Sequence, residues 1–442
     1  MPSAADAQEI PGMRYDAIDR ELFARNRRRL AALMQPRTLA VVQSNDTLPT
    51  NADGTLPFKQ NADLLYLTGV DQEETILLVF PQARESKDRE ILFVKRTNEV
   101  IAVWDGEKLS KERATEVSGI ERVEWLDAFE GIFQRLASEA DGFYLATNEH
   151  PRAAALVETR NDRFVKTCRE RFPLHRLERL SVLTRRLRAR KDPVEVELIR
   201  RACGITEAGF RRVLDFIRPD VGEWEIEAEY LHEFVRRRSC GFAYSPIVGS
   251  GGNACVLHYL ENHSVCGDGD LVLMDIGADW AGWNSDMTRT VPVNGRFGER
   301  QRAVYDAVLR VYRGANDLLR PGRTQVDYQR SVVELMEAEL VDLGLITAEE
   351  AREQGEGKEA VKKYFMHGAS HPIGLDVHDV YPPQEPFAPG MVFTIEPGIY
   401  ICEEKLGIRL ENTVLIGEDE NINLMASIPI EADEIEELMN RR

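Results

Sequence analysis

Apolar positions between Tyr15 and Met34 recur at helical spacing among five arginines, which predicts a helix near the start of the chain. Strand-like runs follow at Thr38 to Val42, Thr75 to Phe80, Glu90 to Lys95 and Gly142 to Ala146, separated by polar or helical stretches. This alternation predicts an α/β or α+β amino-terminal domain ending near residue 180. Arg185 to Lys191 then reads Arg-Arg-Leu-Arg-Ala-Arg-Lys. With no aromatic residue interleaved, it is read as the solvated face of a helical linker rather than an anion-binding patch.

The clearest start signal lies at Asp192. Asp192 suits an N-cap, Pro193 the first helical position and Glu195 the closing residue of a capping box, and Leu198, Ala202, Ile205 and Gly209 continue the stripe. Helical patterns recur at Glu223 to Arg238, Glu299 to Leu319 and Val326 to Leu343, interleaved with strand pairs. The predicted organisation is a domain over 1–180, a basic linker over 181–191 and a second, α+β domain over 192–442 with a mostly antiparallel sheet.

Composition changes this picture little. The 442 residues are 30% charged and 43% hydrophobic, ordinary for a soluble chain long enough for two domains. No apolar run approaches the length of a membrane span, and the first residues lack a basic region followed by an apolar core, so no membrane association and a cytoplasmic location are expected. The six cysteines form no CxxC pair and are expected to be reduced thiols. A net charge of -19 argues against nucleic acid as the main partner.

The candidate chemistry lies in the second half. Asp275 and Asp286 fall on either side of a turn containing Gly282, with β-rich runs flanking it. A hairpin there would bring both aspartates together on adjacent strands, where they repel unless a cation neutralises them. Glu396 follows the apolar run Met-Val-Phe-Thr-Ile and precedes Pro397 and Gly398, which puts its carboxylate at a strand end. Arg409 and Glu411 are two apart in a strand-like run, so the period of two assigns both to one face. His371 is the nitrogen donor that joins the four carboxylates. Such a set suits manganese, zinc, cobalt or ferrous iron better than a sulfur-ligated structural zinc.

Six segments carry a family resemblance: Val-Leu-His-Tyr-Leu-Glu-Asn (256–262), Met-Asp-Ile-Gly-Ala-Asp (274–279), Ser-Asp-Met-Thr-Arg-Thr (285–290), the stretch from Met366 to Asp379, Thr-Ile-Glu-Pro-Gly-Ile-Tyr (394–400) and Gly-Ile-Arg-Leu-Glu-Asn (407–412). In this order they resemble the motifs of the creatinase/aminopeptidase P family. Residues 59–70, Lys-Gln-Asn-Ala-Asp-Leu-Leu-Tyr-Leu-Thr-Gly-Val, are similar to the amino-terminal domain of Xaa-Pro aminopeptidases and prolidases. The resemblance implies a creatinase-like first domain and a "pita-bread" catalytic domain holding two divalent ions, most often Mn2+. By that match Asp275 and Asp286 ligate one ion, His371 and Glu396 the other, and Asp286 and Glu411 bridge the pair. It further implies a metal-bridging hydroxide as nucleophile and Glu396 as general base. His258, His367 and His378 match histidines that contact substrate or the tetrahedral intermediate, and Arg409 and Tyr400 match positions near the site, Arg409 to orient Glu411 or meet a substrate carboxylate. His263, His150, His175 and His232 are read as structural or exposed. Trp104 matches a tryptophan that can approach a neighbouring subunit, and a homo-oligomer, dimer or tetramer, is implied.

The expected activity is hydrolysis of the bond preceding proline in peptides with proline at the second position, with release of the amino-terminal residue. A dipeptidase (prolidase) is the alternative within the same chemistry. A non-catalytic binding module is disfavoured, because a metal-free site would leave four carboxylates repelling one another. A methionine aminopeptidase is disfavoured by the long first domain.

Overall fold

Asp19 ends the extended entry to the chain: its side chain accepts from Glu21 N, and the first helix runs over Arg20–Leu33. A computed structural model describes residues 15–150, 153, 156–353 and 359–441. The chain divides into two compact units between Arg188 and Ala189.

In the first unit, six strands form a mixed sheet: β1 (Thr38–Gln43), β2 (Ile76–Val79), β3 (Glu90–Val94), β4 (Val123–Trp125), β5 (Gly142–Leu145) and β6 (Arg176–Arg179), in the order β4-β3-β2-β1-β5-β6. β1–β2 and β2–β3 pair antiparallel, while β3–β4, β1–β5 and β5–β6 pair parallel. β1 is buried along its whole length, as a central strand covered on both faces must be. Leu39, Val41, Leu78, Phe93 and Phe143 pack with Phe133 of the helix Phe129–Ala137. Arg27, one of the five arginines of the first helix, is buried and donates to Glu90, Leu67 O and Ser118 O, so it belongs to the interior rather than the polar face.

The basic run Arg185–Lys191 departs from its expected solvated face. Residues Leu180–Ala189 are helical. Arg188 is buried and pairs with Asp63 at 2.8 Å within the first unit. Lys191 is buried in the second unit and pairs with Asp379 at 2.8 Å. Both cations are desolvated and therefore need these carboxylates.

The second unit opens on the helix Pro193–Phe216, capped by Asp192 with Glu195 closing the box. Its sheets are antiparallel throughout the paired strands. β7 (Gly241–Phe242), β10 (Ala278–Trp280) and β11 (Trp283–Asn284) form one group; β8 (Ile247–Ser250), β9 (Leu271–Asp275) and β12 (Thr288–Pro292) a second. β13 (Val392–Ile395), β16 (Asn412–Leu415) and β17 (Ile422–Asn423) form a third, and β14 (Gly398–Ile401) pairs with β15 (Leu406–Arg409). The helices Glu223–Arg236, Glu299–Leu318 and Gln325–Asp342 complete the unit. No described helix is long and apolar enough to cross a membrane.

Candidate metal centre

The two aspartates are brought together by nested hairpins. Ala281 and Gly282 both have positive φ, 57° and 90°, as the two-residue turn joining β10 to β11 requires. Outside it, β9 pairs with β12 so that Asp275 faces Thr288. Gly277 permits the close approach: a Cβ there would sit 1.9 Å from the Ser285 carbonyl oxygen. Asp275 ends β9, but Asp286 lies in the connection between β11 and β12, not on a strand. That irregular stretch lets its carboxylate turn toward Asp275 instead of following the pleat.

The other carboxylates also stand where strands end. β13 stops at Ile395, and Glu396 N donates to Ala369 O. The expected strand through Arg409 and Glu411 is broken: β15 ends at Arg409, β16 begins at Asn412, and Glu411 N donates to Thr288 O. The chain changes sheets at Leu410 and Glu411, so strand periodicity does not set the direction of Glu411.

Oxygen atoms of Asp286 and Glu411 and a nitrogen of His371 lie within 4.8 Å of one another. His371 Nε2 is 3.3 Å from Asp286 Oδ2 and 3.7 Å from Glu396 Oε1. Its Nδ1 faces the Pro372 carbonyl oxygen at 3.0 Å, which places the proton there and leaves Nε2 as the donor atom for a cation. Asp275 joins through Tyr244, whose hydroxyl is 2.5 Å from Asp275 Oδ1 and 2.6 Å from Asp286 Oδ1. Tyr244 carried no signal of its own in the sequence: no spacing or motif ties it to the acids it contacts.

The electrostatics favour a cation. Burial pushes the Asp275 and Glu411 carboxyls up, Glu411 strongly, and raises Glu396 to about 7. Burial opposes the charged form of His371, but Asp286 and Glu396 outweigh it and lift the imidazole to about 9. Glu411 Oε1 is buried with no hydrogen-bond partner among the described residues, an oxygen whose desolvation a cation would offset. Without such charge the site retains protons; with it, the same oxygens and Nε2 become ligands of the hard or borderline type.

Around this cluster Arg409 donates to Asp275 Oδ2 at 2.5 Å, to Tyr400 at 2.7 Å and to Thr288 at 3.0 Å. It reaches Glu411 through Thr288, whose hydroxyl donates to Glu411 Oε2 at 2.7 Å. Tyr400 and His367 Nε2 are 2.8 Å apart, and His367 Nδ1 is 2.9 Å from the Gly368 carbonyl oxygen. Because that carbonyl can only accept, Nδ1 carries the proton and Nε2 accepts from Tyr400. Burial, then Arg409, pushes the His367 imidazole down to about 3, so it is neutral. His378 stacks on His371 with centroids 4.0 Å apart and 18° between the planes. His378 and His258 are exposed, in a position to meet solvent or a ligand. His263 instead faces Tyr259 through Nδ1 at 3.2 Å.

The model of metallopeptidase family M24 matches residues 197–418, and that of the aminopeptidase P amino-terminal domain matches residues 23–163. The chain is 34% identical to the Xaa-Pro aminopeptidase of Escherichia coli K12 over 436 residues, 96% of this chain and 98% of that protein. It is similar to aminopeptidase PepP of Pseudomonas aeruginosa, at 29% identity and a TM-score of 0.86, covering 96% of this chain and 98% of the other. It is similar as well to zinc-substituted E. coli aminopeptidase P in complex with product, at 33% identity and a TM-score of 0.82, covering 96% and 99%.

Proposed function

We propose that this chain, which belongs to metallopeptidase family M24, hydrolyses the peptide bond preceding proline and releases the amino-terminal residue of Xaa-Pro peptides. The observation that carries the reading is the convergence of Asp275, Asp286, His371, Glu396 and Glu411, with an acid left without a partner at Glu411 Oε1. The enzyme uses divalent metal. Our reading assigns two ions, with Mn2+ as the working metal; Asp275, Asp286, His371, Glu396 and Glu411 would hold them. Bound there, divalent ions would supply Lewis acidity to the scissile carbonyl and make water a stronger acid.

The chain's own groups do the rest. Glu396 accepts the proton of the attacking water and delivers it to the departing amine, its carboxylate standing at the end of β13 beside His371. His258 and His378, both exposed and His378 stacked on His371, donate to the substrate carbonyl and the developing oxyanion. His367 has both nitrogens engaged, so donation to substrate requires Nδ1 to leave the Gly368 carbonyl. Arg409 and Tyr400 fix the orientation of Asp275 and His367. The substrates are peptides with proline in second place, and the reading includes a cytoplasmic enzyme whose six cysteines are free thiols.

The reading includes a homo-oligomer as well, supported by Val100, Val103 and Trp104, exposed at 68%, 81% and 83% on the helix Glu99–Asp105. Trp104→Ala should lower the mass measured by light scattering. The experiment for the activity compares Xaa-Pro with Xaa-Pro-Yaa substrates after loading with Mn2+, Co2+ or Zn2+. Release of the first residue from the longer peptide is expected; cleavage of the dipeptide alone would overturn the aminopeptidase assignment.

A further inference from the structure

Glu223, the first residue of the helix Glu223–Arg236, is fully buried and is not one of the candidate metal ligands. Five donors converge on its two oxygens. Oε1 accepts from Ser250 N at 2.7 Å, Ser250 Oγ at 2.7 Å and Asn253 Nδ2 at 3.1 Å; Oε2 accepts from Tyr259 OH at 2.8 Å and Ser264 N at 2.9 Å. Burial alone would raise this carboxyl, but the donors outweigh it and hold it below the usual range.

These partners have a pattern. Ser250 is the last residue of β8 and Ser264 lies fourteen residues on, so one carboxylate ties both feet of the segment that carries His258. The backbone closes the same clamp: Glu223 N donates to Ser264 O at 2.9 Å, and Gly222 bridges Val265. β8 pairs with β9, Ile247 opposite Asp275 and Ser250 opposite Val272, so the first foot sits on the strand beside the one that ends in Asp275. Tyr259, next to His258, is held at both ends, its ring packed with Leu273 and Tyr400 and its hydroxyl on Glu223. His258 is exposed directly beside the buried, tethered Tyr259, so the ring's placement follows from that anchor.

We propose that Glu223 is a positioning residue for the reaction: its carboxylate sets the height and direction of His258 over the metal centre. This rests on His258 contacting substrate, as in the reading above. A carboxylate suits the task because it accepts on both oxygens. An amide presents an NH2 group on one side, which would oppose either the Ser250 or the Ser264 N–H and release one foot of the segment.

The test combines kinetics with NMR of the histidine rings in metal-loaded protein. Glu223→Gln should lower kcat/KM on an Xaa-Pro-Yaa peptide by about 10- to 100-fold, the scale of a small misplacement, with metal content unchanged. The His258 ring resonance should shift or split while that of His378 stays in place. In the double variant with His258→Ala, Glu223→Gln should have no further effect, because its route of action is gone. Losses that multiply in the double variant, or an unmoved His258 resonance in Glu223→Gln, would overturn the proposal. Wild-type kcat/KM in His258→Ala would instead remove the catalytic reading of His258, and the resonance then decides the positional claim by itself. Should Glu223→Gln not fold, Tyr259→Phe removes one donor of the five and must move the same resonance.

Discussion

Arg409 Nη2 lies 2.5 Å from Asp275 Oδ2, and the two side chains are 5% and 15% exposed. The same guanidinium holds Tyr400 and Thr288, so it fixes one acid of the centre directly and Glu411 through one hydroxyl. Arg409→Lys keeps the charge but cannot make three divergent bonds from one planar fork. It should lower kcat/KM by about 10- to 100-fold, the usual consequence of losing a group that orients a metal ligand. Steady-state kinetics alongside metal content by mass spectrometry checks this; unchanged kinetics would leave Arg409 as a mere structural cation.

Tyr244 places one hydroxyl proton between two carboxylates, Asp275 and Asp286. Tyr244→Phe removes it, leaving the acids to repel and to rely on a cation, Arg409 beside Asp275 and His371 beside Asp286. Metal affinity should change by about 10- to 100-fold, measured by titration of the metal-free protein. Equal affinity in the two proteins would show that the hydroxyl does not act on the ligands.

In the proposed reaction Glu396→Gln removes the proton acceptor while keeping the shape of the side chain. Turnover should fall by about 100- to 10,000-fold, the range of general-base contributions. The unfolding temperature should stay within a few degrees, because Glu396 N still holds Ala369 O. Retained turnover would refute the role of Glu396.

The metal-free and metal-loaded proteins should respond to pH in opposite ways. In the metal-free protein His371 is raised to about 9, and Glu396, pushed up by burial, to about 7. The folded state therefore binds more protons than the unfolded chain between the ordinary carboxylate range and pH 9. Stability from Glu396 is complete below its unfolded pKa and is lost as pH rises through 7. That from His371 is complete below 6.5 and lost as pH rises through 9. The metal-free protein should thus melt at falling temperature from pH 5 to 9, while metal binding tightens over the same window because it displaces those protons. Melts and metal titrations at several pH values test both; a metal-free melting temperature that rises with pH would contradict the raised values.

Parts of this centre were legible in the sequence because local signals and chemistry agreed. The Asp192-Pro193-Glu195 start marks a real helix end, and the apolar run before Glu396 ends where Pro397 stops the strand. The antiparallel character of the second unit also followed from its paired apolar runs. Periodicity failed at Asp286 and Glu411, which lie where the chain leaves one pairing for another, so a period of two no longer orders the side chains. β4 and β6 escaped notice because they are short edge strands; β6, Arg-Leu-Glu-Arg, is not buried on either face. Tyr244 and Glu223 escaped it because their partners are 27 to 42 residues away, a distance at which no local pattern speaks.

Lys191 carries the last prediction. Its place in a basic run predicts a solvated cation, yet its ammonium sits 2.8 Å from Asp379, with the two side chains 2% and 1% exposed. Asp379 follows His378 directly, and its N–H donates to Pro372 O, so the pair braces the segment from His371 to His378. Only glycine fits beside it at position 374, where a Cβ would lie 2.1 Å from Asp379 Oδ2. Lys191→Met leaves Asp379 buried without its cation, and should cost about 3–5 kcal/mol of stability. Lys191→Met with Asp379→Leu removes both charges of the pair and should recover part of that loss, Glu195 remaining buried without Lys191 nearby. Denaturant unfolding of the two variants separates these outcomes. Equal destabilisation of single and double variants would mean that packing volume, not the charge on Asp379, makes Lys191 necessary.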